Sequence, residues 1–176
     1  MKKSFFYLIA LIFWTACSTT EIPTVNKKLD KPFFDIITYL DDEIEKSQLT
    51  QIEKTVQING ESETKVLKDF DLKKELSMFY DSDINKPSLF DKYNTFETEH
   101  SITYKTEDEE LSVQRIKIFK GEDGGFQKLL INRKAAKQIY SSDKVLTYES
   151  NIGFSIQNTQ KVKFSEEKAY EIEVKF

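Results

Sequence analysis

Early in the chain, apolar residues recur every three or four positions, as they do on one face of an α-helix. A suitable N-cap, Asp30, and a proline suited to a first helical turn, Pro32, precede this run. We therefore expect an amphipathic helix of about fifteen residues. Its polar face is mostly acidic, which favours packing on a protein core over binding to a membrane surface. The apolar positions are Phe33, Ile36, Ile37, Leu40 and Ile44.

The pattern then changes to strict alternation, which predicts a β-hairpin. Residues 52–58 place apolar side chains mainly at every second position, and Asn59-Gly60 is a strong two-residue turn signal. Residues 61–67 return as the partner strand. Residues 69–71 then offer capping side chains for a short second helix, with Leu72, Leu76 and Phe79 on one side.

Beyond a loop at residues 81–93, the pattern from His100 onward favours strands. The apolar phase slips between Val113 and Ile116, which indicates a bulge or a strand covered on both faces. Residues 135–140 are ambiguous and could form a short helical turn. The fold class we expect is α+β, with two N-terminal helices and a hairpin packed on a curved antiparallel sheet. The predicted strands after His100 begin at residues 102, 111, 126, 145, 152, 162 and 170.

The N-terminus has the three-part pattern of an export signal. Lys2 and Lys3 precede an apolar run from Phe5 to Trp14, and small residues follow. A membrane span needs roughly 20 apolar residues, which this run does not supply. Ordinary signal cleavage before Cys17 would want a small residue three positions upstream, where Trp14 stands.

The segment Thr15-Ala16-Cys17 resembles the lipobox of bacterial lipoproteins, in which a small residue precedes an obligatory cysteine. It departs from the common pattern at Trp14, where that family usually has leucine. Cys17 is the only cysteine, so an intramolecular disulfide is impossible. The resemblance implies that Cys17 carries a diacylglycerol thioether and a third acyl chain on its amine. Several acyl chains together make a stable anchor.

These features divide the chain into a signal peptide at residues 1–16, a lipidated cysteine with a flexible tether at 17–29, and a single α+β domain at 30–176. The chain has a formal net charge of −4, and loss of the signal removes two lysines. Such an acidic domain lacks the basic surface that nucleic acids require, so we expect no nucleic-acid partner. We expect the lipid to hold the domain at a membrane of the bacterial cell envelope, with the outer membrane as our preferred location.

The sequence contains no strong catalytic or metal-binding motif, so we expect no enzymatic activity, no cofactor and no metal ion. The only histidine, His100, is typical of an exposed strand start. Residues 81–85 begin like a calcium loop, but Lys86 stands where a glycine is required and Lys92 where a bidentate glutamate is required. Pairs of carboxylates suited to glycoside hydrolysis remain open, because no spacing rule selects one pair.

The high content of aromatic residues is the one unusual feature of the composition. These residues could line an apolar pocket or fill the core. The leading hypothesis is a non-enzymatic module that binds an envelope protein or an apolar ligand. The alternatives are a lipid or lipoprotein carrier with a cavity under the sheet, and an envelope hydrolase that uses carboxylates. The aromatic candidates are Phe33, Phe34, Tyr39, Phe79, Tyr80, Phe90, Tyr93, Phe96, Phe126, Tyr140, Tyr148, Phe154, Phe164 and Tyr170.

Overall fold

A computed structural model describes residues 31–121 and 125–176, and the structural statements below concern these residues. Nine antiparallel strands form one sheet, and three short helices pack on one of its faces. The helices are α1 (Ile36–Lys46), α2 (Leu72–Glu75) and α3 (Ser77–Tyr80), with a 3₁₀ turn at Pro87–Leu89. The strands are β1 (Ile52–Ile58), β2 (Glu61–Leu67), β3 (Asn94–Glu97), β4 (Ser101–Lys105), β5 (Val113–Lys120), β6 (Phe126–Lys137), β7 (Tyr140–Glu149), β8 (Gly153–Val162) and β9 (Lys168–Lys175).

The expected α+β class, with helices and a hairpin packed on a separate curved sheet, is wrong. The protein is essentially a β-rich fold built on one nine-stranded sheet. The β1–β2 hairpin is part of that sheet, because β1 pairs along its outer side with β9. Without the hairpin, β9 would be an edge strand with unpaired backbone N–H and C=O groups. Strand β1 of the hairpin pairs with these groups.

The sheet has the order β2-β1-β9-β8-β7-β6-β5-β4-β3. Strands β3 to β9 follow one another as a meander, and the hairpin joins at the far side of β9. The turns of the β1–β2, β8–β9 and β6–β7 connections therefore meet at one end of the sheet, and the β4–β5 connection lies at the same end. The β7–β8 turn and the C-terminus lie at the opposite end.

The core lies between the helices and one face of the sheet. Residues paired across strands share a face, and the pairs Ile131–Leu146 and Tyr148–Phe154 are buried there. Leu40 of α1 and Phe79 of α3 cover them from the helix side, both without solvent exposure. Apolar burial of this kind supplies the main stabilisation, since the chain has no disulfide.

Several local predictions fail for physical reasons. The N-cap of α1 is Asp35, not Asp30, and its carboxylate accepts a hydrogen bond from the Thr38 amide at 3.1 Å. The helix therefore has 11 residues. The expected second helix is interrupted at Leu76, so α2 and α3 have four residues each. The ambiguous residues 135–140 form the end of β6 and the start of β7, not the helical turn considered for them, and strand β3 was not predicted.

Other local predictions are confirmed. The hairpin has the expected bounds, and its turn residues Asn59 and Gly60 both have positive φ, as a type I′ turn requires. The phase slip in β5 corresponds to a register shift between Val113 and Arg115. The slip was therefore a bulge, which re-aligns the apolar residues of β5 with the core.

Candidate functional site

The anchor residue predicted from the sequence, Cys17, lies outside the described residues. The same holds for the predicted signal peptide at residues 1–16 and the predicted tether at residues 17–29. In the part of the chain that the structure describes, no helix has the length and apolar character needed to cross a bilayer.

Side chains of residues 81–85, the loop that begins like a calcium site, make hydrogen bonds within the protein. The Asn85 side chain accepts a hydrogen bond from the Phe33 amide at 3.1 Å and donates one to the Phe34 carbonyl at 3.1 Å. The Asp83 carboxylate accepts from the Asn85 amide at 3.2 Å. These contacts join the loop to the segment before α1, which accounts for polar residues at this position.

His100 is highly exposed and lies 4.0 Å from the Glu99 carboxylate, which is equally exposed. Both residues belong to the β3–β4 connection. Both side chains of the pair are therefore largely in contact with solvent.

Most of the aromatic candidates fill the core. Phe33 packs edge-on against Tyr93 and Phe90, with ring centroids 5.8 and 6.3 Å apart. Phe79 packs in the same way on Tyr148 and Phe154. Four candidates do not belong to the core: Phe96 is 56% exposed, Phe164 is 97% exposed, and Tyr140 and Tyr170 are half-buried outside the core cluster.

One polar cluster adjoins a surface cleft between α1 and the end of the sheet that carries the β7–β8 turn. The carboxylate of Glu43 accepts hydrogen bonds from the hydroxyls of Tyr148, at 3.3 Å, and Ser150. The cleft has a volume of about 460 Å³, and Leu49 and Phe176 are among its apolar walls. It could hold a small ligand with a hydrogen-bond donor.

The tyrosines of this cluster are not poised for acid–base chemistry. Burial raises the pKa of Tyr148 far above its usual range, and the Glu43 carboxylate raises it further. Burial likewise raises the pKa of Tyr39, which also neighbours Glu43. Both phenols therefore stay protonated at neutral pH and act as hydrogen-bond donors.

A second feature is an apolar surface at the end of the sheet where three turns meet. We call it the apolar tip and define it by Ile139, Val162 and Phe164, which are 63%, 37% and 97% exposed. The two turns that carry these residues are in contact, since the Lys163 amide donates to the Ile139 carbonyl at 2.9 Å. Large apolar side chains grouped on a surface are typical of interaction sites.

The backbone at the apolar tip holds Phe164 away from the protein. Phe164 has a φ of +68°, a left-handed conformation that non-glycine residues seldom adopt. The only described cation near its ring is Lys163, whose ammonium lies 5.2 Å from the ring centroid. Residues held in rare backbone conformations cluster at functional sites, which makes Phe164 a candidate contact residue.

Exposed lysines flank the residues of the apolar tip along the chain, and two exposed glutamates follow in the β8–β9 connection. Lys137 at the end of β6, Lys161 near the end of β8 and Lys163 just after it are exposed, and so are Glu166 and Glu167 in the β8–β9 connection. This surface was not predicted from the sequence, because residues 135–140 were ambiguous and Phe164 was placed in a strand. A signal was present in Ile139 and Phe164, each of which directly follows a polar or charged residue.

No family model, no curated protein and no solved structure matches this chain.

Proposed function

We propose that this chain is a membrane-anchored lipoprotein of the bacterial cell envelope, and that its folded domain is a non-enzymatic interaction module. The observation that carries the second part is the apolar tip, which projects from a sheet with a filled core. A partner protein of the envelope would cover Ile139, Val162 and Phe164. The three lysines around them would meet acidic residues of that partner.

The filled core argues for an interaction module over a carrier. A carrier would need an apolar cavity under the sheet. That position is occupied by Leu40, Leu76, Phe79 and Ile131, all without exposure to solvent. The apolar surface available to a partner is therefore on the outside, at the apolar tip.

The anchor is tested by Cys17→Ser. We expect this variant to accumulate as unprocessed precursor and to lose all labelling by a radioactive fatty acid, because the thioether can form only on a thiol. The unsubstituted chain is the positive control. Normal labelling of Cys17→Ser would contradict the proposed anchor.

The interaction surface is tested by a photo-crosslinking phenylalanine analogue placed at position 164 in intact cells. We expect a discrete adduct with one envelope protein, because the ring at this position is fully available to a partner. Phe96 is the matched control, since it is an exposed aromatic residue at the edge strand β3. The analogue at position 96 should give no such adduct.

A second variant separates specific contact from simple exposure. Ile139→Ser should reduce the adduct from position 164 about tenfold, the effect of roughly 1.4 kcal/mol of lost binding energy. An equal adduct from positions 96 and 164 would contradict the proposal, as would crosslinking at position 164 to phospholipid alone.

A further inference from the structure

The sheet ends in a long and regular edge strand, β2. Among the described residues, no strand lies on the outer side of β2. Its seven residues pair with β1 without a register shift, and all but Leu67 are exposed. Natural edge strands are usually short or interrupted by proline or a bulge, because a free edge invites pairing with another chain. The opposite edge strand, β3, follows that rule with four residues.

The backbone groups that β2 presents can be assigned residue by residue. The Asn59 amide donates to the Ala169 carbonyl at 3.0 Å, so residue 59 faces β9. Orientation alternates along a strand, and the even-numbered residues of β1 therefore face β2. Their partners are the odd-numbered residues of β2. Ser62, Thr64 and Val66 consequently direct their N–H and C=O groups outward.

We propose that a second copy of this chain pairs with β2 in an antiparallel arrangement, with a two-fold axis at Thr64. The proposal does not rest on the proposed function, because it uses a different surface. In this register, Thr64 lies opposite Thr64 of the second copy, and Ser62 lies opposite Val66. These are the outward-facing residues, so about six backbone hydrogen bonds form between the copies.

Charge selects this register over its neighbours. With the axis at Thr64, Glu63 of each copy lies opposite Lys65 of the other. With the axis at Glu63, two glutamates would face each other, and with the axis at Lys65, two lysines would do so. Like charges directly opposite each other destabilise a strand pair, whereas opposite charges stabilise it.

The side chains of Glu63 and Lys65 are exposed, so a second copy can reach them. They form an exposed ion pair within β2, with the ammonium 2.9 Å from the carboxylate and side-chain exposures of 70% and 66%. In the proposed dimer they occupy non-hydrogen-bonded positions, where opposing Cα atoms are only about 4.5 Å apart. Each lysine would then contact carboxylates of both copies.

The axis passes through the sheet at a right angle, so both copies keep their helices on the same face. The result is one continuous sheet that contains the strands of both copies. The apolar tips of the two copies lie at opposite ends of this sheet, because the axis reverses the strand direction.

The arrangement is tested by disulfide formation in cells that express the full chain, after addition of a membrane-permeant thiol oxidant. Thr64→Cys should give a covalent dimer at twice the monomer mass. Opposing Cα atoms at such a pair are about 5.5 Å apart, within the span of a disulfide. The unsubstituted chain, whose only cysteine is Cys17, controls for other crosslinks.

Ser62→Cys is the matched control for register. The two positions 62 would lie roughly 13 Å apart across the axis, too far for a disulfide, so Ser62→Cys alone should give no dimer. Cells that contain both Ser62→Cys and Val66→Cys chains should give a mixed dimer. This pair of variants also tests the register if Thr64→Cys accumulates poorly.

Charge variants test whether the contact is between copies. In the Thr64→Cys background, Glu63→Lys or Lys65→Glu alone should reduce the covalent dimer severalfold, because like charges then face each other. Co-expression of these two variants with tags of different size should restore crosslinking, and only as the mixed dimer. A contact within one strand cannot produce that result.

The proposal fails if Thr64→Cys gives no dimer, or if Ser62→Cys gives as much dimer as Thr64→Cys. It also fails if the two charge variants do not restore each other's crosslinking. A disulfide between Thr64→Cys and a different protein would assign the edge to another partner and overturn pairing between copies.

Discussion

Replacing Phe79 with alanine is expected to lower the free energy of unfolding by about 3–5 kcal/mol. Phe79 has no exposed surface, and its ring packs on the rings of Tyr148 and Phe154 at centroid distances of 6.2 and 5.8 Å. The substitution removes these contacts and leaves a cavity between α3 and the sheet. Denaturant unfolding followed by circular dichroism measures the loss.

The matched control is Phe164→Ala, which removes the same side chain from a position that is 97% exposed. It should change the free energy of unfolding by no more than about 0.5 kcal/mol, as surface substitutions usually do. A similar loss for both variants would show that Phe79 does not have the central packing role assigned to it here. Because folded domains are stable by only about 5–15 kcal/mol, Phe79→Ala alone could prevent folding at growth temperature.

Gly153→Ala is expected to cost about 3 kcal/mol of the free energy of unfolding, from backbone strain and steric overlap together. Gly153 begins β8 with a φ of +144°, a conformation that side chains disfavour. An added Cβ would lie 2.0 Å from the carbonyl oxygen of Val174 in β9. This oxygen belongs to the backbone of the neighbouring strand, so β8 and β9 would have to move apart.

Gly60→Ala separates the two contributions. Gly60 also has positive φ, at +95°, but an added Cβ there would meet no atom within 4 Å. We expect a loss of about 1 kcal/mol, from backbone strain alone. Thermal unfolding of both variants provides the comparison. Equal losses at the two positions would contradict the close approach of β8 and β9 as the cause at Gly153.

The sequence predicted well those elements whose signals are local. The Asn59-Gly60 turn specified the hairpin bounds, because few dipeptides tolerate two positive φ values. The slip between Val113 and Ile116 likewise identified a real bulge. Helix α1 was found from its periodicity, but its start was placed five residues early, because Asp30 and Asp35 are equally good caps in the sequence.

The fold class was predicted wrongly because it depends on pairing between distant residues. Nothing in residues 52–58 shows that their outer edge pairs with residues 170–175, and the hairpin therefore seemed separate from the sheet. Helices were also overestimated, since the periodicity of Leu72, Leu76 and Phe79 does not reveal the break at Leu76. The end of β6 and the start of β7 were missed because residues 132–144 are mostly polar or small, which weakens the alternation of apolar and polar positions.

The proposed interaction surface could be predicted from the sequence only in part. Phe164 was among the aromatic candidates, but the sequence could not distinguish a core phenylalanine from an exposed one. That distinction depends on the positive φ of Phe164 and on the end of the β8 ladder, which are properties of the fold. The edge of β2 was equally hidden, because a strand becomes an edge only through the order of the whole sheet.

The sheet order also sets the time at which the domain can finish folding. Glu53 in β1 pairs with Lys175 at the end of β9, so the hairpin cannot complete its pairing until the residues of β9 have been synthesised. Contacts of such high sequence separation are slow to form. Until β9 has been synthesised, both outer edges of the hairpin are unpaired. During that interval of translation the hairpin can pair with strands of other chains.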